Sequence, residues 1–153
     1  ENLYRRSLYT LWKRTAPPPA MDILNAPSRE VSCVRRDRTN TPLQALVTQN
    51  DPIFVESSRQ LAAQALAGAR TTEARMDFIT LRLLGRRFSA DERAVARRTL
   101  DAALTVYRTD AVAAGRLLSV GESPVPAGLA TPEVAAWTLV ASKILNLDES
   151  LTK

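Results

Sequence analysis

The sequence contains no histidine and only one cysteine, Cys33, among its 153 residues. A single cysteine cannot form a disulfide within the chain, and without histidine neither a Cys/His zinc site nor a C-x-x-C-H haem attachment can be built. A Ser-His-Asp or Cys-His catalytic unit is excluded for the same reason. We therefore predict no catalytic, cofactor-binding or metal-binding residue in this chain. We expect Cys33 to be a small buried apolar residue, or a thiol that pairs with another segment.

Long apolar runs and glycines are also scarce. No window of eighteen apolar residues exists, so we predict no membrane span. The first residues, ENLYRRSLYTLWKR, lack the apolar core and small residues of a signal peptide. The chain has only five glycines, while alanine and arginine, both good helix formers, are abundant. Its composition, 45% apolar and 24% charged, is typical of one globular domain or part of one.

The positive charge is concentrated near the start of the chain. Residues 1–40 carry eight basic and four acidic side chains, whereas the other 113 residues carry thirteen and twelve. Eighteen of the 21 basic residues are arginine, whose planar fork suits carboxylate, sulfate or phosphate groups. A solvated, ion-paired surface would have the same composition. Because no nucleic-acid recognition motif accompanies the charge, we do not predict nucleic acid as a partner.

The sequence of residues 1–40 predicts an extended Pro/Arg-rich segment, made of an arm over residues 1–15 and a strap that continues to residue 40. Apolar residues in the arm fit either a helix or a short strand, and we expect Tyr9 and Trp12 to pack while the arginines face water. Three consecutive prolines remove three N–H donors and favour an extended polyproline form. The apolar residues of the arm are Leu3, Tyr4, Leu8, Leu11 and Trp12, and those expected to pin the strap are Met21, Ile23 and Leu24.

A candidate anion-binding site lies where the strap meets the first helices. Thr41-Pro42-Leu43-Gln44 combines a helix cap, a proline at the first helical position and a capping box, and Asp51-Pro52 begins a second helix. Helix starts present free N–H groups and a positive dipole end. The candidate site residues beside them are Arg35, Arg36, Arg38 and Asn40. Alternatively, these arginines bond helix carbonyls or the carboxylates of Asp37 and Asp51.

The rest of the chain predicts capped helices and no strands. The expected helices span residues 42–48, 52–67, 73–84, 90–107, 110–118 and 131–145, with one further turn after them. Ser89-Ala90-Asp91-Glu92 is a second capping box, and Thr131 is expected to cap the last long helix. That helix is apolar on most of its surface, so we expect it to be central. The predicted core-facing residues of the others are Phe54, Leu61, Ala62, Ala65, Phe78, Leu81, Leu84, Val95, Thr99, Ala103 and Val106. We predict an all-α fold, with residues 41–153 forming a compact bundle of about six or seven short helices.

Three segments carry a family resemblance: residues 5–56, LLGRRFSADE at 83–92, and AAWTLVASKILNLDESLTK at 135–153. They resemble the C-terminal half of a planctomycetal domain of unknown function that accompanies cytochrome C modules in large secreted proteins. The resemblance implies that this chain is the C-terminal fragment of a larger extracytoplasmic protein, with its upstream half as a partner. Haem is then a candidate cofactor of the parent protein. In this chain only Met21 and Met76 could be axial ligands, and we expect both to serve in packing.

Two hypotheses of function follow. The first is an α-helical accessory or docking domain of the cytochrome-associated parent protein, without catalysis by this chain, its partners being the upstream half and a cytochrome module. The second is binding or processing of an acidic, sulfated polysaccharide by the arginine cluster, with Tyr9 or Trp12 stacked on a sugar. Asp37 or Asp51 could then act as acid or base if a second carboxylate lay at glycosidase spacing. The sequence leaves open whether the parent protein is an enzyme.

Overall fold

The computed structural model describes residues 7–13, 15–125 and 127–152, and in these ranges the chain is all-α, as predicted. A 3-10 turn, Ser7–Tyr9, precedes eight helices: α1 Pro19–Ile23, α2 Pro42–Asn50, α3 Pro52–Gly68, α4 Thr72–Leu83, α5 Ala90–Thr109, α6 Ala111–Leu118, α7 Thr131–Leu145 and α8 Asp148–Leu151. The described ranges hold a single isolated bridge, between Lys13 and Ala16, and no strand. None of the described helices has the length and hydropathy to cross a membrane.

Side-chain caps begin most of the longer helices where the sequence predicts them. The Thr41 hydroxyl accepts a hydrogen bond from the Gln44 N–H, and the Gln44 side chain accepts one from the Thr41 N–H, so the predicted capping box is formed. Ser89 and Glu92 form the second capping box, at the start of α5. Single side-chain caps begin α3, α4 and α6, from Asp51, Thr71 and Asp110 respectively. Each cap satisfies backbone N–H groups that a helix start leaves without partners.

Three local predictions are wrong. The proline run does not stay extended, because Pro19 begins the five-residue helix α1, where a missing N–H costs nothing. Helix α2 continues two residues beyond its predicted end, to Asn50. Thr131 lies inside α7, whose cap residue is Ala130 and makes no side-chain hydrogen bond. Pro132 near the helix start still fixes the boundary within one residue of the prediction.

Helix α7 is the centre of the bundle, as its apolar composition predicts. It packs mainly against α3, α5 and α6, and it also contacts α2, α4 and α8. Trp137 is 2% exposed and is among the largest fully buried side chains of the described residues. Burial of a side chain of this size contributes a few kcal/mol relative to leaving it in water, so α7 supplies a large share of the core.

The predicted inward faces of α4 and α5 are confirmed at Leu84 and Ala103, which are 3% and 4% exposed, but are wrong at Leu81, Val95 and Val106. On α5, Val95 and Val106 are each 54% exposed, while Ala96, Leu100 and Ala103 face the core. The small alanine side chains allow α5 to lie close to α7, which leaves the bulkier valines outside. On α4, Met76 and Ile79 take the core positions, whereas Leu81 is exposed and Phe78 is only half-buried.

Side-chain hydrogen bonds hold the strap to the arm and to α2. The Arg29 guanidinium donates to the carbonyl oxygens of Ser7 and Thr10 and lies 5.5 Å from the Trp12 ring centroid. Gln44 donates to the Ile23 carbonyl oxygen at 2.9 Å. Trp12 is therefore half-buried as expected, but Tyr9 is 68% exposed, so its predicted packing is wrong. The predictions for Leu3 and Tyr4 concern residues outside the described ranges.

Cys33 is exposed on the strap, and the prediction that it is a buried apolar residue is wrong. Its thiol donates a hydrogen bond of 3.2 Å to the Arg35 carbonyl oxygen. The strap around it is exposed from Pro27 to Leu43, so no apolar environment is available for the sulfur.

Candidate oxyanion-binding site

Three of the four predicted site residues line one cavity of about 200 Å³ between the strap and the helices. Arg35, Arg36 and Arg38 reach it from the strap, together with Asp37. The rest of its wall is formed by Leu24, Asn25, Thr39, Gln44 and Leu151. The structure thus brings three arginine residues that are nearly consecutive in sequence to the wall of one space that a small ionic group can enter.

A chain of hydrogen bonds fixes the floor of this cavity. The buried Gln44 side chain donates to the Thr39 hydroxyl oxygen at 2.8 Å. Asn25 donates to the same oxygen at 2.6 Å and to the Asp37 carbonyl oxygen at 3.3 Å. Since that hydroxyl oxygen accepts two hydrogen bonds, its own proton remains to be donated. The floor therefore positions the arginine-bearing segment and offers a hydroxyl donor beside the guanidinium groups.

The charge in the cavity is positive. Within the described residues, Arg35, Arg36 and Arg38 form no ion pair and donate no side-chain hydrogen bond to the chain itself. The Asp51 carboxylate, one of the alternative partners, instead accepts the Ile53 N–H as the cap of α3. Asp37 also lines the cavity, and its negative charge opposes anion binding. Three cations against one carboxylate leave the cavity attractive to an anion.

The amide of Asn40 is not part of this cavity. Its nitrogen donates to a carboxylate oxygen of Asp148 at 3.0 Å, which ties the end of the strap to α8. Asn40 therefore has an anchoring contact where an anion contact was predicted. It precedes Thr41 in sequence, but the chain directs its side chain toward the C-terminal helix rather than toward the arginines.

The helix starts contribute less to the site than the sequence suggests. The capping box uses the N–H groups of Thr41 and Gln44, and Pro42 has no N–H. The Asp51 cap uses the Ile53 N–H at the start of α3. Because these donors are already occupied, arginine side chains and the strap would bind an anion, rather than the open end of a helix.

A second, larger cavity of about 400 Å³ lies on the other side of Arg36. The arm residues Ser7 and Thr10 form one wall, and Met21 and Phe54 lie among its apolar lining residues. Arg36 lines both cavities, so an anion held in the first would lie beside a largely apolar space. Met21 is half-buried here, while Met76 is 2% exposed in the core, so both methionines pack as expected.

The sequence does not predict one buried ion pair, which lies on α3. Glu56 and Arg59, one turn apart on α3, are 4% and 1% exposed, with Arg59 Nη2 and Glu56 Oε1 3.7 Å apart. The Glu56 carboxylate accepts the N–H groups of Glu122 and Ser123 at 3.1 and 2.7 Å. Arg59 donates to the carbonyl oxygens of Leu118 and Ser123. We call these contacts the α3 clamp, because they fix the loop after α6 onto α3.

One signal in the sequence does indicate the burial of Arg59. It lies four residues after Val55 and three before Ala62, and both of these are in the core. Residues at these spacings share one face of a helix, so Arg59 occupies a core-facing position despite its charge. A charged residue is almost never fully buried without partners. The partners lie about 60 residues away in sequence, where no local pattern marks them.

An exposed ion cluster joins the start of α5 to α8. Arg86 donates to the carboxylates of both Glu92 and Glu149 at 2.7–3.1 Å. The hydrogen bonds from Arg86, together with that from the Ser89 N–H, lower the pKa of Glu92 from 4.5 to about 2. The two carboxylates in turn raise the pKa of Arg86. Since Glu92 is also part of a capping box, its charge serves the helix start and needs no ligand to explain it.

Comparison with known proteins identifies a family. A family model described as PSD1, a protein of unknown function (DUF1553), matches residues 1–100. This range contains the first two segments on which the resemblance rests, while the third lies after it. No curated protein sequence and no solved structure matches the chain. Because the matched residues make up well over half of the 153, the chain belongs to the PSD1 (DUF1553) family.

Proposed function

We propose that this chain is an α-helical accessory domain of a larger extracytoplasmic protein and docks through its strap onto the part of that protein that precedes it. A cytochrome module of the same protein, which would carry the haem, is the further partner in this proposal. The compartment and the haem rest on the family resemblance alone. In this role the chain itself contributes binding and no catalysis.

The observation that supports docking is the number of large apolar side chains that the arm and the strap leave in water. Leu11 is 86% exposed and Val34 is fully exposed. Leu8, Tyr9 and Val31 are also exposed. Single exposed apolar residues are ordinary, but several on one segment of about 30 residues indicate a surface that another part of a protein covers. Extended segments with few contacts of their own are suited to wrapping such a partner.

Hydrogen exchange on the parent protein and on this chain alone tests docking. We expect strap amides to exchange fast in the isolated chain and at least about tenfold more slowly in the parent, because docking protects them. Leu11→Ser together with Val34→Ser should abolish that protection without changing the stability of the isolated chain. Val112→Ser, on the exposed face of α6, is the control and should leave protection unchanged. Equal exchange of the strap in parent and isolated chain would contradict the proposal.

We also propose, as a second function, that the arginine cavity binds an oxyanion group of an acidic, sulfated polysaccharide. Its support is the convergence of Arg35, Arg36 and Arg38 on one cavity beside the Thr39 hydroxyl. Guanidinium groups bind sulfate and carboxylate oxygens through parallel N–H donors, and such charge-assisted bonds are about twice as strong as neutral ones. The exposed Tyr9 ring remains available to stack on a sugar, whereas Trp12 already contacts Arg29.

Calorimetric titration with a sulfated oligosaccharide and its desulfated form tests the second function. Replacing Arg35 and Arg38 by alanine should weaken binding of the sulfated form by at least about tenfold, because each charge-assisted hydrogen bond contributes roughly 1.5–3 kcal/mol. Asp37→Asn should strengthen binding, since it removes the opposing carboxylate. Arg70→Ala together with Arg116→Ala removes the same two charges at exposed positions outside the cavity and serves as the control.

Three results would count against the second function. The first is equal affinity for the sulfated and desulfated oligosaccharides. The second is an equal loss of affinity in the Arg70/Arg116 control and the Arg35/Arg38 variant, since binding would then follow net charge alone. The third is heat that disappears at moderate salt, because exposed charges are screened over about 8–10 Å under those conditions.

A further inference from the structure

Two cavities of different character adjoin each other at Arg36 and Leu24. Both residues line the arginine cavity, of about 200 Å³, and also the cavity of about 400 Å³ that includes the arm residues Ser7 and Thr10. We call the larger one the arm cavity. Most residues that line the arginine cavity are polar or charged, whereas most that line the arm cavity are apolar. A ligand that occupies both therefore needs an anionic part and an apolar part.

The arm side of the arm cavity is held in place by Arg29. Its guanidinium donates to the carbonyl oxygens of Ser7 and Thr10 at 3.0 and 3.3 Å. These contacts use only backbone oxygens. The hydroxyl groups of Ser7 and Thr10 form no hydrogen bond within the part of the chain that the structure describes. Two hydroxyl groups on a positioned wall are thus left to bind a ligand.

Asp51 adds a carboxylate to the residues of the arm cavity. Its Oδ1 atom accepts the Ile53 N–H at 2.9 Å, which caps α3. An ionised carboxylate accepts through both of its oxygens, so the other oxygen can accept a hydrogen bond from a ligand hydroxyl. The negative charge of Asp51 also disfavours any second anionic group in this cavity.

We propose that the two cavities together bind one sugar that carries a single sulfate and no other charge, an inference that rests on the second proposed function. The sulfate occupies the arginine cavity, and the ring extends past Arg36 into the arm cavity. The C–H face of the ring packs against apolar residues that include the half-buried Phe54. Its hydroxyl groups meet Ser7, Thr10 and Asp51. An apolar lining with a few polar groups that fix orientation is typical of small-molecule sites.

The same lining residues disfavour other classes of anion. A free sulfate leaves the arm cavity without a ligand and gains none of its apolar contacts. A uronic acid, or a sugar with a second sulfate, brings a negative charge toward Asp51. A purely apolar ester makes no use of the hydroxyl groups of Ser7 and Thr10. The combination therefore selects a neutral sugar with one sulfate.

Nuclear magnetic resonance titration of the 153-residue chain tests this selection. The probes are methyl sulfate and a set of methyl galactoside monosulfates that carry the sulfate at each ring position, all with the same charge. The best galactoside should bind at least about tenfold tighter than methyl sulfate, because its ring buries apolar surface in the arm cavity. Arg35 and Arg38 resonances should shift with both kinds of probe, but those of Thr10 and Phe54 only with the galactosides.

Two variants in the arm cavity have a matched aromatic control. Phe54→Ala should remove the advantage of the galactosides and leave the affinity for methyl sulfate unchanged. Because Phe54 is half-buried, Ala20→Leu provides a second variant, which fills the arm cavity from α1 and should have the same effect. Tyr9→Ala removes an exposed aromatic ring and should leave both affinities unchanged, since Tyr9 lines neither cavity.

Asp51→Asn tests the preference for a single charge. Asparagine is as good a helix cap as aspartate, so α3 keeps its start while the cavity loses its negative charge. The affinity for a disulfated galactoside should rise at least about threefold relative to that for the monosulfate. An unchanged ratio of the two affinities would contradict the role given to Asp51.

The outcomes separate this inference from the second proposed function. Equal affinity for methyl sulfate and every galactoside would overturn the inference and leave the arginine cavity as a plain anion site. Equal losses in Phe54→Ala and Tyr9→Ala would place the sugar outside the arm cavity and would also overturn it. No response to any sulfate ester would contradict the second function itself, and the inference with it.

Discussion

Arg59→Ala is expected to destabilise the chain by about 3–5 kcal/mol, because it breaks the buried ion pair between Arg59 and the Glu56 carboxylate. The substitution also removes the donors that hold the carbonyl oxygens of Leu118 and Ser123. For a chain of this size, a loss on this scale lowers the melting temperature by about 10 °C or more. Thermal and urea unfolding, followed by circular dichroism, measure the effect.

Two comparisons make the Arg59 result specific. Arg116→Ala removes an exposed arginine from α6 and should change stability by no more than about 0.5 kcal/mol. Replacing Glu56 and Arg59 together by leucine and methionine should not restore stability. An isolated buried ion pair can often be replaced by apolar residues, but here the N–H groups of Glu122 and Ser123 would lose their acceptor. If Arg59→Ala cost no more than Arg116→Ala, the α3 clamp would contribute nothing to stability.

Gly121→Ala is expected to destabilise the chain by about 2–4 kcal/mol through two effects at one position. The glycine has a φ of +93°, a conformation that side chains with a Cβ rarely adopt. A Cβ at this position would also lie 2.5 Å from Glu56 Cδ and 2.8 Å from Glu56 Cβ, both too close for non-bonded atoms. Glu56 is fixed by its contacts with the loop, so it cannot move away without loss of the α3 clamp.

Gly128→Ala provides the matched control for Gly121→Ala. Gly128 has a φ of +78°, but no atom lies within 4 Å of the position that a Cβ would occupy. The unfolding free energy of this variant should fall by only about 1–2 kcal/mol, which is the cost of placing an alanine in this backbone conformation. The difference in unfolding free energy between the two variants then measures the contact with Glu56. Equal losses would mean that the loop moves freely away from α3, contrary to the structure.

The elements that depend on neighbouring residues are predictable from this sequence. Both capping boxes are confirmed because each needs only residues three apart, and the sequence shows those directly. The central position of α7 is confirmed because a helix that is apolar on most of its surface keeps that surface from water only when other helices surround it. The convergence of Arg35, Arg36 and Arg38 follows the same principle, since residues so close in sequence reach one cavity with little help from the fold.

The features that depend on distant partners are not predictable in this way. On α5, alanines and valines offer two similar apolar faces, and only the close approach of α7 decides that Ala96 faces inward while Val95 stays exposed. Asn40 is a plausible anion donor until α8 brings Asp148 to it across 108 residues. The burial of Glu56 depends on a loop about 66 residues away. In each case the deciding contact depends on how the helices pack. The spacing of neighbouring residues in the sequence does not predict it.

The central position of α7 determines which residues must accompany the family match for the helices to pack. The family match stops at Leu100, halfway along α5, whereas Trp137 and the other core residues of α7 lie well after it. A segment cut at the edge of the match would lose the helix against which α3 and α5 pack. The boundary of detectable sequence similarity is therefore not a structural boundary. Any expression, fusion or exchange of the matched region should therefore also include α6 and α7, which lie after the match.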